Sequence, residues 1–294
     1  MIRKQTFKTW LVFVPVIVAI CILAGCAVKR NPWGDPKTGL ILQYQMPENQ
    51  VLKYQMVVEQ TQNIEVMGQS VDTESDMISA FLVKSKGLKE NNYQLGVTID
   101  SISLNITSPQ GDLSPDMSAV IGKSFDMTLS PLGKELDLSG AESIKYDLGP
   151  AGKRSVKSNF QALFPDLAGR PVKIGDTWTS KDTITEQSGN VEIHINLENV
   201  NTLEGFETVN GLECAKITAT VTGILEGIGE QMGMDLTFDG EIEGTDTWYF
   251  AYKEGIFVKM ITKAFTEGTI IASGPQDMTI PMKQEIKMEI ELIK

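Results

Sequence analysis

The chain carries a single histidine, His194, and beyond its N-terminal segment a single cysteine, Cys214, so pairs of nucleophile and base are scarce. His194 alternates with Glu192 and Asn196 on the polar side of its segment and reads as an exposed histidine. A His-based triad would also need a serine or cysteine, and no motif nominates one. Cys214 sits in Leu212-Glu213-Cys214-Ala215-Lys216-Ile217, far from that histidine in sequence, and reads as a buried, inert thiol. There is no Gly-x-Ser-x-Gly, no phosphate-binding glycine loop and no His-rich metal spacing. One histidine and one free thiol cannot build a soft or borderline metal site. Asp235, Asp239, Glu241 and Glu243 share one strand face, but strand rise spreads them over more than about 20 Å, so they read as a solvated acidic face rather than a calcium site. No spacing among the 38 acidic residues picks out a carboxylate pair for glycoside hydrolysis. The expectation is a protein without catalytic residues, metal or cofactor, and not an enzyme.

The residues left to interact with a ligand are apolar. Thirteen methionines make a soft interior, and they recur on presumed inward faces at Met234, Met260, Met282 and Met288. Methionine adapts to irregular apolar surfaces, so Met234, Met260 and Met288 are the candidate ligand-binding residues, with an ordinary packed core as the competing reading. Gly223–Met234 combines glycines with apolar residues and reads either as a mobile lip or, preferred, as a distorted hairpin connection.

The elements that would position these residues are strands. From Leu40 onward the apolar period is close to two. Met282, Ile286, Met288, Ile290 and Leu292 alternate with charged residues, and Val191, Ile193, Ile195 and Leu197 do the same against Glu192, His194 and Asn196. Between Leu95 and Ile106 the phase slips by one residue near Asp100-Ser101, which predicts a β-bulge. Phe125–Leu129 and Glu135–Leu138 flank a Pro/Gly loop and predict a hairpin. Ser114–Ile121 and Ser155–Phe164 are the two short helix candidates. The fold class is all-β: long curved antiparallel sheets or a barrel-like body with one or two short helices. Residues 40–154 and 171–294 form β-rich halves joined by a short helix and connection at 155–170, or one continuous domain.

At the N-terminus, Arg3, Lys4 and Lys8 precede an apolar run from Trp10 to Leu23, which ends in Leu23-Ala24-Gly25-Cys26. Basic, apolar and small-residue regions in this order mark a secretory signal, read here as residues 1–25. The uncharged stretch Thr9–Val28 is long enough to span a bilayer, but its shorter apolar portion and Pro15 favour cleavage over an uncleaved helix. The segment resembles a bacterial lipoprotein signal. That resemblance implies that Cys26 becomes the mature N-terminus and carries acyl chains. The protein would then be a membrane-anchored lipoprotein outside the cytoplasm, on the outer membrane if the host has two and otherwise on the outer face of the cytoplasmic membrane. Residues 26–39, turn-rich around Asn31–Pro36, read as the lipidated tether, with Trp33 touching its own domain. Removing residues 1–25 takes away three cations and no anion, moving the net charge from -12 to -15. So acidic a body disfavours nucleic acid.

Phe164-Pro165 and then Pro171-Val172-Lys173-Ile174-Gly175-Asp176-Thr177-Trp178 resemble a Pro-Val-x-x-Gly-Asp-x-Trp motif of β-rich bacterial lipoproteins of uncharacterised function. Read as residues, Gly175-Asp176 makes a turn and Trp178 opens a strand and packs inward. The Asp-Thr-Trp recurs at Asp246-Thr247-Trp248 without matching flanks. The expected function is a non-enzymatic lipoprotein that holds a lipid or other apolar ligand on the concave face of a sheet. The alternative is a structural or interaction lipoprotein of an envelope or surface complex, with a protein partner that the sequence does not name.

Overall fold

The computed structural model describes residues 33–293 apart from 150, 151, 232, 275 and 276. The signal segment, Cys26 and the first part of the tether lie outside the described residues. Residues 33–40 lie on the body. Strands β1 (Gly34–Asp35) and β2 (Gly39–Leu40) form a small ribbon, and Trp33 packs against the main core.

Thirteen further strands form one antiparallel sheet. In chain order they are β3 (Val51–Val66), β4 (Gln69–Lys89), β5 (Asn92–Thr107), β6 (Ser124–Leu129), β7 (Glu135–Asp137), β8 (Lys145–Asp147), β9 (Lys153–Ser155), β10 (Thr177–Ser188), β11 (Val191–Val209), β12 (Leu212–Gln231), β13 (Met234–Ala251), β14 (Ile256–Ser273) and β15 (Met278–Ile293). Their order across the sheet is β7-β6-β5-β4-β3-β15-β14-β13-β12-β11-β10-β9-β8. The pairing of β3 with β15 joins the two β-rich halves into one continuous sheet. Strand β12 has 20 residues, about 65 Å at full strand rise, so the longest hairpins reach well beyond the packed core.

The sheet curls until its edges approach. Between β7 and β8 the chain makes a 3-10 turn, Ser139–Ser143. Gly140 there sits against Phe125 of β6, while Ile144 accepts the backbone N–H of Val156 beyond β9. The curvature has a cause in the sequence. The inward residues Val221, Leu225, Ile242 and Asp246 put Gly223, Gly227, Gly229, Gly240, Gly244 and Gly268 on the concave face by strand alternation and cross-strand register. A Cβ on Gly223 would stand 2.8 Å from Leu197 Cδ2, and one on Gly268 would stand 2.2 Å from the Asp239 carbonyl oxygen. Without side chains at these places, adjacent strands coil tightly over one another. Most of the segment expected to be a lip or distorted connection is therefore strand: β12 runs through Gly223–Gln231, and the hairpin connection is confined to the residues between Gln231 and Met234, where β13 begins.

The bulge appears where the phase slips: Ile99 and Ser101 pair with Phe81 and Ala80, leaving Asp100 unpaired. The 125–138 hairpin forms as β6 and β7. Ser114–Ile121 holds only a turn, residues 118–122, because Met117 and Val120 bury together and Gly122 donates to the Ile99 carbonyl of the sheet. Ser155–Phe164 shrinks to a 3-10 turn, Lys157–Phe160. Its apolar residues must point several ways at once, and Ala162, at φ 56°, turns the chain out of helical geometry.

Residues 156–172 plug one end of the curled sheet. Phe160 meets Phe81 and Phe125 edge-on, with centroids 5.2 and 5.0 Å apart. Phe164 stands edge-on to Tyr44, Tyr54 and Phe257. The main core gathers around this plug, running in sequence from Leu40 to Ile290. The body thus carries its own core within the described residues and folds as a unit.

Many outward positions are charged. On β15, Lys283, Glu285, Lys287 and Glu289 are exposed on the convex side, and ion pairs such as Lys259 to Glu289 at 2.7 Å cross between strands. The sheet presents a water-facing exterior here, unlike the apolar outer band of a barrel that crosses a bilayer.

Candidate functional site

Below the plug, the concave face encloses a cavity of about 320 Å³, a size typical of small-molecule pockets. Its walls are apolar along Met56, Val58, Met77, Ile195, Leu197 and Ile286, and the plug closes it with Leu163, Phe164 and Pro165. Met260 and Met288 line it as well. Met234 begins β13 at the far hairpin end, beside Gly274, and is not among the lining residues.

One side of the cavity is polar. Ser180 and Asp182 of β10, Asn199 and Asn201 of β11, and Asp246 of β13 occupy inward positions. Register sets four of them in two adjacent rows, Ser180, Asn199, Val221 and Gly244, then Trp178, Asn201, Ala219 and Asp246, with Asp182 in the next row opposite Leu197. Lys134, at the end of the β6–β7 loop, reaches across to pair with Asp182 at 2.6 Å and with Asp166 of the plug at 3.3 Å, and its ammonium also donates to the Lys181 carbonyl. Gly133 permits that approach: with φ 101°, a Cβ there would lie 2.4 Å from the Pro165 carbonyl oxygen. Asn199 Nδ2 donates to Asp182 Oδ2 at 3.4 Å, and Asn201 Nδ2 to Ser180 Oγ at 3.2 Å.

The plug is held mostly by single hydrogen bonds to fixed groups. Trp178 Nε1 donates to the Asp166 carbonyl at 2.9 Å, Tyr44 Oη to that of Pro165 at 3.1 Å, and the Phe164 N–H to Glu135 Oε1 at 2.8 Å. Trp178 meets Trp248 edge-to-face at 6.0 Å, so the two Asp-Thr-Trp segments converge at the base of the cavity.

Burial dominates the titration of this region. Glu135 is pushed up to about 8, against the opposing N–H of Phe164. Asp166 rises to about 6 through burial and the charge of Asp182, opposed by Lys134. Asp246 rises to about 6 through burial and Asp182, opposed by the Thr262 hydroxyl.

The other residues singled out in the sequence lie away from the cavity. His194 is on the convex face with its side chain 47% exposed, beside Glu192 at 3.1 Å and Thr185. Cys214 is a free, buried thiol whose acidity burial weakens, to about 11. Asp235, Asp239, Glu241 and Glu243 are exposed along β13, and no cluster suited to holding a metal ion occurs among the described residues.

Sequence reasoning missed the polar side of the cavity, although a signal for it was present. Asp182 shares strand parity with Trp178 and Ile184, Asn199 with Ile195 and Leu197, and Asp246 with Ile242 and Trp248. A polar residue in an apolar row is the anomaly that marks such a site. Lys134 and Asp166 come from loops and carry no such signal.

No family model matches the chain, and no curated protein matches it. Among solved structures, an outer membrane channel from Pseudomonas putida F1 is 8% identical, with a TM-score of 0.27 over 85% of this chain and 97% of that one. The OmpF of Salmonella typhi, in complex with daunomycin, is 6% identical with a TM-score of 0.23, over 85% and 100% of the two chains. A DUF1329 family protein from Desulfovibrio piger is 12% identical with a TM-score of 0.16, over 81% and 85%. At these scores none of the three lends a function or a location to this chain.

Proposed function

We propose that this chain is a lipid-anchored protein of the cell envelope or surface, tethered through Cys26, and that it binds an apolar or amphiphilic molecule in the cavity under its plug. It acts by binding rather than by catalysis. The observation that carries this reading is the cavity itself: about 320 Å³ on the concave face of the sheet, apolar along most of its wall and polar on one side. Packed cores do not keep such a space beside unpaired polar atoms, and methionines at Met260 and Met288 suit a flexible guest. A second reading, an interaction protein, draws support from the convex face, where Ile224 and Ile228 of β12 are exposed, the latter by 69%.

The test uses the body of residues 33–294 and the neutral fluorescent probe N-phenyl-1-naphthylamine. The cavity reading expects saturable uptake of about one probe per chain at micromolar concentration. Ile286→Trp, which fills the cavity from β15, should abolish uptake with the thermal melt retained. Absence of uptake by the unmodified body would leave the interaction reading.

A further inference from the structure

The polar side of the cavity has acceptors without donors. Asp246 Oδ1 and Asn199 Oδ1 are both enclosed and have no hydrogen-bond partner. The orientation of the Asn199 amide is fixed by chemistry, since its Nδ2 faces Asp182 Oδ2, which as a carboxylate can only accept. It is therefore the amide oxygen that lacks a donor. Nearby cations are already committed: Lys134 to Asp166 and Asp182, and Arg154 to Glu186 at 2.8 Å. Asp246 has no counter-charge, and burial together with Asp182 raises its pKa to about 6 against the opposing hydrogen bond of the neutral Thr262 hydroxyl.

Apart from Val221, the floor between these acceptors is made of small residues. Asn199 pairs across β12 with Val221, which pairs with Gly244, two residues from Asp246 on the same face. Gly244 and Ala219 put little bulk there, and Ala264, opposite Gly244, adds only a methyl group. Arg154 Nε and Ser158 Oγ, on another part of the lining, also lack partners, but the Arg154 charge is neutralised by Glu186 and that of Asp246 is not.

We infer that the bound molecule carries a cationic, hydrogen-bond-donating head, an alkylammonium group, seated between Asp246 and Asn199 with its tail along Met260, Met288 and Ile286. This rests on the cavity being a ligand site, and it names the chemistry that the site selects. An ammonium group would satisfy both orphaned acceptors and supply the missing charge, whereas a carboxylate or phosphate head would meet Asp166, Asp182 and Asp246, three carboxylates against the single cation Lys134.

The experiment is competition against N-phenyl-1-naphthylamine on the body of residues 33–294 at 0.15 M salt, which screens the acidic exterior. The competitors are dodecylammonium, dodecanol and dodecanoate, all below micelle-forming concentration. Dodecylammonium should displace the probe at a concentration at least about tenfold below that of dodecanoate, a difference of about 1.4 kcal/mol. Asp246→Asn should bring dodecylammonium down to the level of dodecanol. Asn199→Leu should weaken dodecylammonium several-fold and leave dodecanol unchanged. Equal or stronger displacement by dodecanoate from the unmodified body overturns the head-group assignment alone, and so does a full ammonium preference kept by folded Asp246→Asn. No probe uptake at all overturns the ligand site and this inference with it. If both variants misfold, the comparison on the unmodified body decides.

Discussion

Glu135 Oε1 accepts the backbone N–H of Phe164 at 2.8 Å, tying the β6–β7 hairpin to the plug through a carboxyl that burial keeps neutral up to about pH 8. The same carboxyl in the unfolded chain ionises near 4.5. Between those values the folded state holds a proton that the unfolded state has released, so stability falls as pH rises through this window. Asp166 and Asp246, each raised to about 6, act in the same direction between about pH 4 and 6. Carboxylates with lowered values, such as Asp137 and Glu207, act oppositely only at more acid pH. The melting temperature should therefore rise by at least about 3 °C from pH 8 to pH 5.5. Glu135→Gln keeps an acceptor for Phe164 and should flatten the upper part of that dependence. A melting temperature constant or falling towards pH 5.5 contradicts the assignment.

The inward glycines are predicted to be structural requirements of the curl. Gly268→Val would drive a side chain into the Asp239 carbonyl, 2.2 Å from the new Cβ, and should cost at least about 3 kcal/mol in urea unfolding or prevent folding. Gly205→Ala, where a Cβ meets nothing within 4 Å, is the control and should change stability by less than about 1 kcal/mol.

Strand alternation made most of the sheet readable before any coordinates. The apolar rows of β11, β13 and β15, the bulge at Asp100 and the β6–β7 hairpin all follow from a period of two and from turn chemistry. What alternation could not carry was distance. That Lys134 would meet Asp182, 48 positions away, depends on how far the sheet curls, and no local pattern encodes that. The glycines of β12 misled for a related reason: glycine marks both loops and strongly coiled strands, and only the partner side chains Leu197, Ile193 and Val191 decide which. The short helix candidates failed because hydrogen bonds to the sheet and multidirectional burial outweigh propensity over so few residues.

Deleting residues 282–294 removes most of β15, an interior strand between β3 and β14. Each neighbour would lose most of its ladder on that side and the core would lose Met282 and Ile290. The truncated chain should show no cooperative thermal transition by circular dichroism. A soluble truncation that melts cooperatively would mean the sheet closes without β15.

For the anchor, Cys26→Ser should leave an unprocessed precursor that takes up no labelled fatty acid in the expressing bacterium. Labelling equal to that of the unmodified chain would remove the lipid anchor from the proposal and leave the cavity untouched.

The most direct test of the central claim, that the space beneath the plug is a ligand site, is native mass spectrometry of the protein extracted gently from its own membrane. The account predicts about one amphiphile per chain, retained by the unmodified protein and lost from Ile286→Trp. Protein that is folded yet carries no guest in either form, or Ile286→Trp retaining the same guest as the unmodified chain, would contradict it.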